Sequence, residues 1–250
     1  MILFLTHEKD IFAKQCYLML KYQYQVPTRW LSWQVFKKQS QCHMLGHQDI
    51  FNAILPSPQQ IDVLYVNLNG INEGSKQDSD MKDQRYYLHS WLGFLMWYAN
   101  QVKYCLNPLK HGVFSPGVWS KTNIRRQAHL CGLSVSEHRR KRTEVICSIL
   151  GNQIITDDPS FLCTLGHERI KASFKLFHAL ELKFGQIFFD ESGALCKLSQ
   201  SIQYQISVPV IIKACQYMLS KLSYHGFQYL HVLNVSNGWT LSTTERPKIV

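Results

Sequence analysis

The sequence predicts an α/β protein whose first part contains a small, mostly parallel sheet. Short apolar segments at Ile2–Thr6, Arg29–Trp33 and Ile61–Asn67 have the length and the aromatic or β-branched content of buried strands. Helical patterns of apolar residues cover Ile11–Lys21 and Arg85–Val102. Strands that alternate with helices in this way form a sheet covered by helices, because both elements must bury an apolar face.

The second part of the chain predicts a different, α+β arrangement. Two strands are expected at Glu144–Leu150 and Gln153–Thr156, joined by a Gly-Asn pair that favours a tight hairpin turn. Helices are expected over His167–Leu182 and Val208–Tyr224, where apolar residues recur at three- and four-residue steps. The predicted domains are residues 1–106 and 107–250.

Composition indicates an ordinary globular protein. Of the 250 residues, 46% are hydrophobic and 18% are charged, which is outside the range of disordered chains. No apolar run approaches the ~18 residues that a membrane span needs. The eight cysteines are scattered singly, without a Cys-x-x-Cys pair, which favours reduced thiols. These features together predict a cytoplasmic protein.

The formal net charge of +10 is the strongest compositional signal. A basic surface attracts phosphates, acidic peptides or nucleic acid, although a basic run is also commonly no more than a solvated surface. No zinc-finger, homeodomain or RNP-type signature accompanies the basic residues, so nucleic acid is the less favoured partner. The predicted partner-binding residues are Arg125, Arg126, Arg139, Arg140, Lys141 and Arg142.

The sequence gives little indication of a metal site or of catalytic residues. Cys42 and His43 with His47 are the nearest approach to a zinc motif, but a second ligand pair at zinc-site spacing is missing. The histidines and acidic residues form no triad or paired-carboxylate pattern. We therefore predict no metal ligand and no catalytic residue.

The most specific pattern lies between Asn107 and Ser136. It runs from an Asn-Pro strand exit through a Gly/Pro-rich connection to Lys121, a basic helix and a short β segment at Leu133–Val135. Gly132 is the residue expected just past the end of the helix. The apolar stripe of this helix is expected at Ile124, Ala128 and Leu130.

This order of parts resembles the entry into the catalytic half of ATP-grasp ligases, especially the group that glutamylates ribosomal proteins or cross-links ribosomal peptides. The resemblance covers most of residues 1 to about 205 and implies that residues 1–106 match the domain preceding the catalytic half. In that family the lysine matching Lys121 approaches the nucleotide phosphates. Lys121 is therefore expected to be a vestigial cofactor-binding residue.

The chain departs from the family pattern in two places. In the family the next segment forms a separate lid with a glycine-rich flap, but here only the glycine-free link Glu137–Thr143 precedes the next strand. Residues 182–201 resemble the final hairpin of the family, whose acidic residues bring magnesium to the phosphates. In that hairpin Phe188 stands at the aspartate position, Gly193 at the turn glycine, Ser199 at the glutamate and Ser201 at the asparagine.

These departures predict a catalytically degenerate ATP-grasp-like protein with a truncated second domain and no bound cofactor or metal. Such a protein would act as an accessory, scaffold or peptide-binding subunit in a peptide-modification system. The expected partner is a protein or an acidic peptide, with an intact ATP-grasp ligase or a second copy of the chain among the candidates. Two alternatives stay open: an ATP-dependent carboxylate-amine ligase that uses Mg-ATP, and a basic nucleic-acid-binding protein.

Overall fold

The structure is a computed structural model. The described residues are 1–32, 55–67, 93–106, 121–136, 145–156, 158–199, 201–204 and 206–222. They divide into two compact units, one formed by residues up to 106 together with 214–222 and the other by residues 121–213. The predicted domain boundary between residues 106 and 107 lies at the edge of the described ranges, so its position stays a prediction.

The first unit contains a four-stranded parallel sheet, which confirms the predicted sheet type. The strands are β1 Ile2–Thr6, β2 Thr28–Ser32, β3 Val63–Asn67 and β4 Tyr104–Leu106. β1 pairs in parallel with both β2 and β3, and β4 adds to the far side of β3, so that the strand order is β2-β1-β3-β4. The first three strands begin and end within two residues of their predicted bounds, and no bounds were predicted for β4.

The helix after β1 has a feature that the apolar pattern did not predict. α1 covers Ile11–Leu18. Asp10 caps its N-terminus, and the Asp10 carboxylate accepts a hydrogen bond from the Ala13 amide at 2.9 Å. From Met19 to Gln23 the chain continues as a π-helical turn, in place of the regular helix predicted to Lys21. The turn is closed by a hydrogen bond from the Tyr24 amide to the Met19 carbonyl at 3.1 Å.

Both faces of the parallel sheet are covered. On one face, Leu3 and Leu5 of β1 belong to a buried cluster with α2, a helix whose described part covers residues 93–101. On the other face, the Phe4 ring lies 6.3 Å from the Tyr17 ring of α1. Burial on both faces explains why β1 and β3 are almost continuously apolar.

The second unit contains a four-stranded antiparallel sheet. Its strands are β5 Val145–Leu150, β6 Gln153–Thr156, β7 Phe184–Phe189 and β8 Leu195–Ser199, in the order β6-β5-β7-β8. The predicted hairpin is present, and Gly151 at its turn has a φ of 61°. The short β segment predicted at Leu133–Val135 is reduced to a parallel bridge between Val135 and Leu195.

Helices α3 (Lys121–Leu130) and α4 (Pro159–Ala179) pack in the second unit. α4 is broken at Gly166, which has φ 76° and ψ 158°, so the predicted start at His167 matches only its second segment. The predicted end at Leu182 is wrong, because the helix stops at Ala179 and Glu181 adopts a positive φ of 54°.

Helix α5 (Val208–Leu219) ends before the predicted Tyr224, which lies outside the described residues. Its last turns belong to the first unit, where the Cys215 thiol donates to the Cys16 carbonyl at 3.7 Å. In the described part of the chain, no helix is long and apolar enough to cross a membrane.

The core of the second unit lies between the antiparallel sheet and helices α3 and α4. Ile187 and Phe189 of β7 are fully buried there, together with Phe177 of α4. From α3, Ala128 is part of this core, whereas Leu130 is not, because its side chain is 71% exposed. The expectation that Leu130 belongs to the apolar stripe is therefore wrong: two residues beyond Ala128, the helix has turned by about 200°, toward solvent.

Candidate functional site

The face of the antiparallel sheet opposite the core carries the positions that the resemblance matched to the metal site. Successive side chains of a strand point to opposite faces, and the strand registers pair Ser148 with Gln186 and Gln186 with Ser199. These three polar residues therefore form one row across β5, β7 and β8. The neighbouring row consists of Ile146, Phe188 and Lys197.

Gln186 is the centre of a buried hydrogen-bond network on this face. Its side chain is completely buried, and its Oε1 accepts hydrogen bonds from the backbone amides of Gln203 at 2.9 Å and Tyr204 at 3.0 Å. Its Nε2 donates to the Tyr204 carbonyl and, at 3.3 Å, to the Ser148 hydroxyl. Both ends of the amide are thus paired, as a buried polar group requires. The network holds residues 203 and 204 against the sheet.

An aromatic and cationic cluster lies next to Gln186. The rings of Phe188 and Tyr204 meet edge to face with centroids 5.4 Å apart. The Lys197 ammonium lies 5.0 Å from the Phe188 centroid and 4.8 Å from the Tyr204 centroid, within the range of a cation–π interaction. It also donates to the Tyr204 hydroxyl at 3.4 Å. An aromatic ring therefore occupies the strand position matched to the aspartate, and a positive charge from the neighbouring strand lies beside it.

The two serines matched to the remaining metal ligands bond to one another. The Ser199 hydroxyl donates to the Ser201 carbonyl at 2.9 Å and accepts from the Ser201 amide at 3.4 Å. Ser201 is almost completely buried. Neutral hydroxyls engaged in a local turn are poor ligands for magnesium, which prefers carboxylate oxygens and water.

The hairpin turn between β7 and β8 has the geometry expected of the matched turn glycine. Gly193 has a φ of 76°, and a Cβ atom there would lie 2.4 Å from the Arg169 guanidinium. Arg169 itself donates to the Ser192 carbonyl at 2.8 Å and covers the turn. The turn is therefore preserved, although the ligand positions around it are changed.

Asp190 closes the same turn and was not predicted to have a role. Its carboxylate accepts hydrogen bonds from the amides of Ser192 and Ala194, both at 3.0 Å. Burial by itself would raise the pKa of Asp190, but hydrogen bonds from these amides and from the hydroxyls of Ser192 and Ser136 lower it below its ordinary value. Asp190 is thus a structural anion of the hairpin.

The predicted cofactor- and partner-binding residues are only partly placed. Lys121 is the first residue of α3, and Arg125 and Arg126 lie on the exposed side of that helix. No acidic residue occurs in α3. Within the described ranges, no group of three or more His, Cys, Asp or Glu side chains is placed to hold a metal ion. Outside those ranges lie Cys42, His43, His47, Arg139, Arg140, Lys141 and Arg142.

Sequence reasoning missed Gln186, Lys197 and Tyr204. The sequence did contain an indication of the role of Gln186. It is the one polar side chain in the apolar strand FGQIFF, and a buried polar side chain needs hydrogen-bond partners inside the protein. The two-residue period of a strand would then have placed it beside Phe188. No comparable signal indicated Tyr204, which reaches this face only through the path of the chain after β8.

Solved structures of a macrocyclase and of ATP-grasp ligases share this fold. The macrocyclase MdnC of Microcystis aeruginosa MRC, bound with precursor peptide MdnA, is 9% identical with a TM-score of 0.63, over 89% of this chain and 100% of that chain. The ATP-grasp ligase PsnB, complexed with its minimal precursor, is 9% identical with a TM-score of 0.62, over 88% and 98%. A RiPP-associated ATP-grasp ligase of Chryseobacterium gregarium, in complex with ADP and a leader and core peptide, is 11% identical with a TM-score of 0.58, over 88% and 97%.

No protein-family model matches the sequence, and no curated protein matches it. At identities of 9 to 11% the structural likeness establishes the fold alone. The chain therefore has an ATP-grasp-like fold, which confirms the expectation drawn from the Asn107–Ser136 pattern.

Proposed function

We propose that this chain is a catalytically degenerate ATP-grasp-like protein that binds a protein or acidic-peptide partner in a peptide-modification system. One observation carries the proposal. The sheet face that the resemblance matches to the metal site has Phe188 and Ser199 in place of acidic residues, and Gln186 holds residues 203 and 204 over it.

Electrostatics of this face support the loss of nucleotide chemistry. Phosphoryl transfer depends on magnesium held by carboxylates and on cations that neutralise the phosphates. The Lys197 ammonium beside Phe188 would repel a divalent cation, and the serine hydroxyls carry no charge to offset that repulsion. A lid is also hard to accommodate, because only eight residues separate Ser136 from Val145.

Two observations support a peptide or protein partner. MdnC and PsnB, which share the fold, are ligases whose structures contain precursor peptides. In this chain, α3 presents Arg125 and Arg126 to solvent without an acidic neighbour on the helix. Such a surface attracts acidic peptides through long-range electrostatics and sets the rate and salt dependence of binding. An intact ligase or a second copy of the chain would be partners of the same proposal.

Calorimetric titration of the full chain with Mg-ATP tests the degenerate site. We expect no saturable binding, because the triphosphate would lack its metal and the adenine its cover. Parallel titrations with ATP without magnesium separate simple attraction to the basic surface from a metal-dependent site. A magnesium-dependent dissociation constant in the micromolar range would contradict the proposal and favour an ATP-dependent carboxylate-amine ligase.

The partner surface is tested with a fluorescein-labelled oligoglutamate peptide. Changing Arg125 and Arg126 together to Ser should weaken binding several-fold and reduce its salt dependence, while folding stays intact because both side chains are exposed. The matched control removes two exposed lysines from α4, Lys171 and Lys175, and should have the smaller effect. Equal effects of the two variants would mean that net charge, and not the α3 surface, attracts the peptide.

A further inference from the structure

Helix α1 and the π turn that follows it present large apolar side chains to solvent. Ile11, Leu18 and Tyr22 are 61%, 41% and 66% exposed, whereas Phe12 and Cys16 on the opposite side are completely buried. Single exposed apolar residues are ordinary on protein surfaces. Three large ones aligned along one helix indicate a surface that a partner covers.

The spacing of these residues follows a coiled-coil seam. Ile11, Gln15, Leu18 and Tyr22 are separated by four, three and four residues, and Gln15 is also exposed. This is the alternation of the two apolar positions in a heptad repeat, with the polar residue Gln15 at one of the four positions. The seam, defined here by these four residues, covers the two turns of α1 and the π turn that follows them.

Two lysines border the seam on one side. Lys14 and Lys21 each directly precede a seam residue, which is the heptad position whose charges select the partner helix. The Lys21 ammonium lies 5.4 Å from the ring centroids of both Tyr17 and Tyr22 and donates to the Tyr17 hydroxyl at 3.0 Å. These contacts keep the cation beside the seam. No acidic residue occurs from Ile11 to Gln23.

The π turn from Met19 to Gln23 is a second, independent sign of function. π turns within or at the end of α-helices are rare and are frequently found at functional sites. Here the turn keeps Leu20 completely buried while Tyr22 projects into solvent. The exposed apolar row therefore continues through the π turn to Tyr22, next to Lys21.

A second copy of the chain is a poor occupant of this seam. Antiparallel pairing of two α1 helices would place the lysine rows against one another, and like charges at such positions disfavour association. Parallel pairing would set Lys14 opposite Met19 and Lys21 opposite Val26 of the other copy, and neither of these residues supplies an opposite charge. We propose that the seam docks an amphipathic helix of another protein, with apolar residues at heptad spacing and acidic residues along its flank.

Two synthetic helical peptides test this docking surface. Both carry leucine at heptad spacing, one with glutamate and the other with lysine at the flanking positions. We expect the glutamate peptide to bind the full chain saturably, about tenfold or more tighter than the lysine peptide, in fluorescence anisotropy. Changing Leu18 and Tyr22 together to Ser should weaken binding about tenfold, whereas the control Val208→Ser, at a site 62% exposed, should not.

A charge-reversal variant tests the predicted charge preference of the seam directly. Lys14→Glu with Lys21→Glu should make the lysine peptide the preferred one, and both positions are exposed, so this variant folds even if the Leu18 and Tyr22 changes disturb the helix. Circular dichroism checks the fold of each variant. The proposal is overturned if neither peptide saturates, if both bind equally, or if light scattering shows a dimer that the Leu18 and Tyr22 variant abolishes.

The docking proposal does not depend on whether the second unit binds nucleotide. The seam lies in the first unit and the degenerate site in the second. An active ligase that bound Mg-ATP would leave the docking proposal standing, and a failed peptide titration would leave the loss of nucleotide chemistry untouched.

Discussion

The two faces of the antiparallel sheet are built from alternate residues of the same strands, yet they are held in different ways. The core face presents Ile149, Ile187 and Phe189 to α4 and is stabilised by burial of apolar surface. The opposite face presents Ser148 and Gln186 beside Phe188, and it adds a few directional hydrogen bonds to the contact between the Phe188 and Tyr204 rings. Apolar burial determines that the sheet folds, whereas the Gln186 network determines what covers the face matched to the metal site.

The largest expected effect lies on the core face. Ile187→Ala removes a completely buried side chain and leaves a cavity between β7 and α4, so the free energy of unfolding should fall by about 2–5 kcal/mol. Denaturant unfolding of the full chain measures the change. A loss below about 1 kcal/mol would mean that this core is loosely packed and that the contrast between the faces is smaller than we infer.

An intermediate effect is expected on the opposite face. Gln186→Leu keeps a side chain of similar size but leaves the amides of Gln203 and Tyr204 without their acceptor, which should cost about 1–3 kcal/mol. Hydrogen exchange at these two amides should accelerate more than exchange in β5. The control Gln203→Leu changes the same residue type where it is exposed and should alter neither quantity.

The smallest expected effect concerns the turn that joins β7 and β8. Because the pKa of Asp190 is lowered in the folded state, its stabilising contribution is complete above the ordinary carboxyl pKa and is lost as the pH falls through the folded value. Asp190→Asn should therefore reduce stability by about 0.5–1.5 kcal/mol near neutral pH and much less in acid. Unfolding curves at several pH values between about 2 and 7 measure this difference.

A constant effect of Asp190→Asn across that pH range would contradict the assigned role of the carboxylate. In that case the loss of stability on replacing Asp190 would not arise from the ionisation of its carboxylate. The hairpin would then depend on Gly193 and Arg169 more than on the charge of Asp190.

Much of the fold could be predicted from the sequence because its signals are local. The apolar strands of the parallel sheet, the Gly151-Asn152 turn and the glycine turn at Gly193 all follow from strand period and backbone preference. Helix ends were less predictable. α4 stops at Ala179 because the chain turns at Glu181, whose φ is positive, yet Leu180 and Leu182 still enter the core, so the apolar pattern continues past the end of the helix.

The sequence by itself determined the fold class, the hairpins and the identity of the residues at the matched metal positions, since these depend on residue type and spacing along the chain. Only the tertiary structure decided which groups meet: that Gln186 binds residues 203 and 204, that Lys197 lies over Phe188 and Tyr204, and that the outer side of α1 stays uncovered in the described residues. Hydrogen bonds and cation–π contacts need particular distances and directions between residues of different elements, and local periodicity contains no information about those.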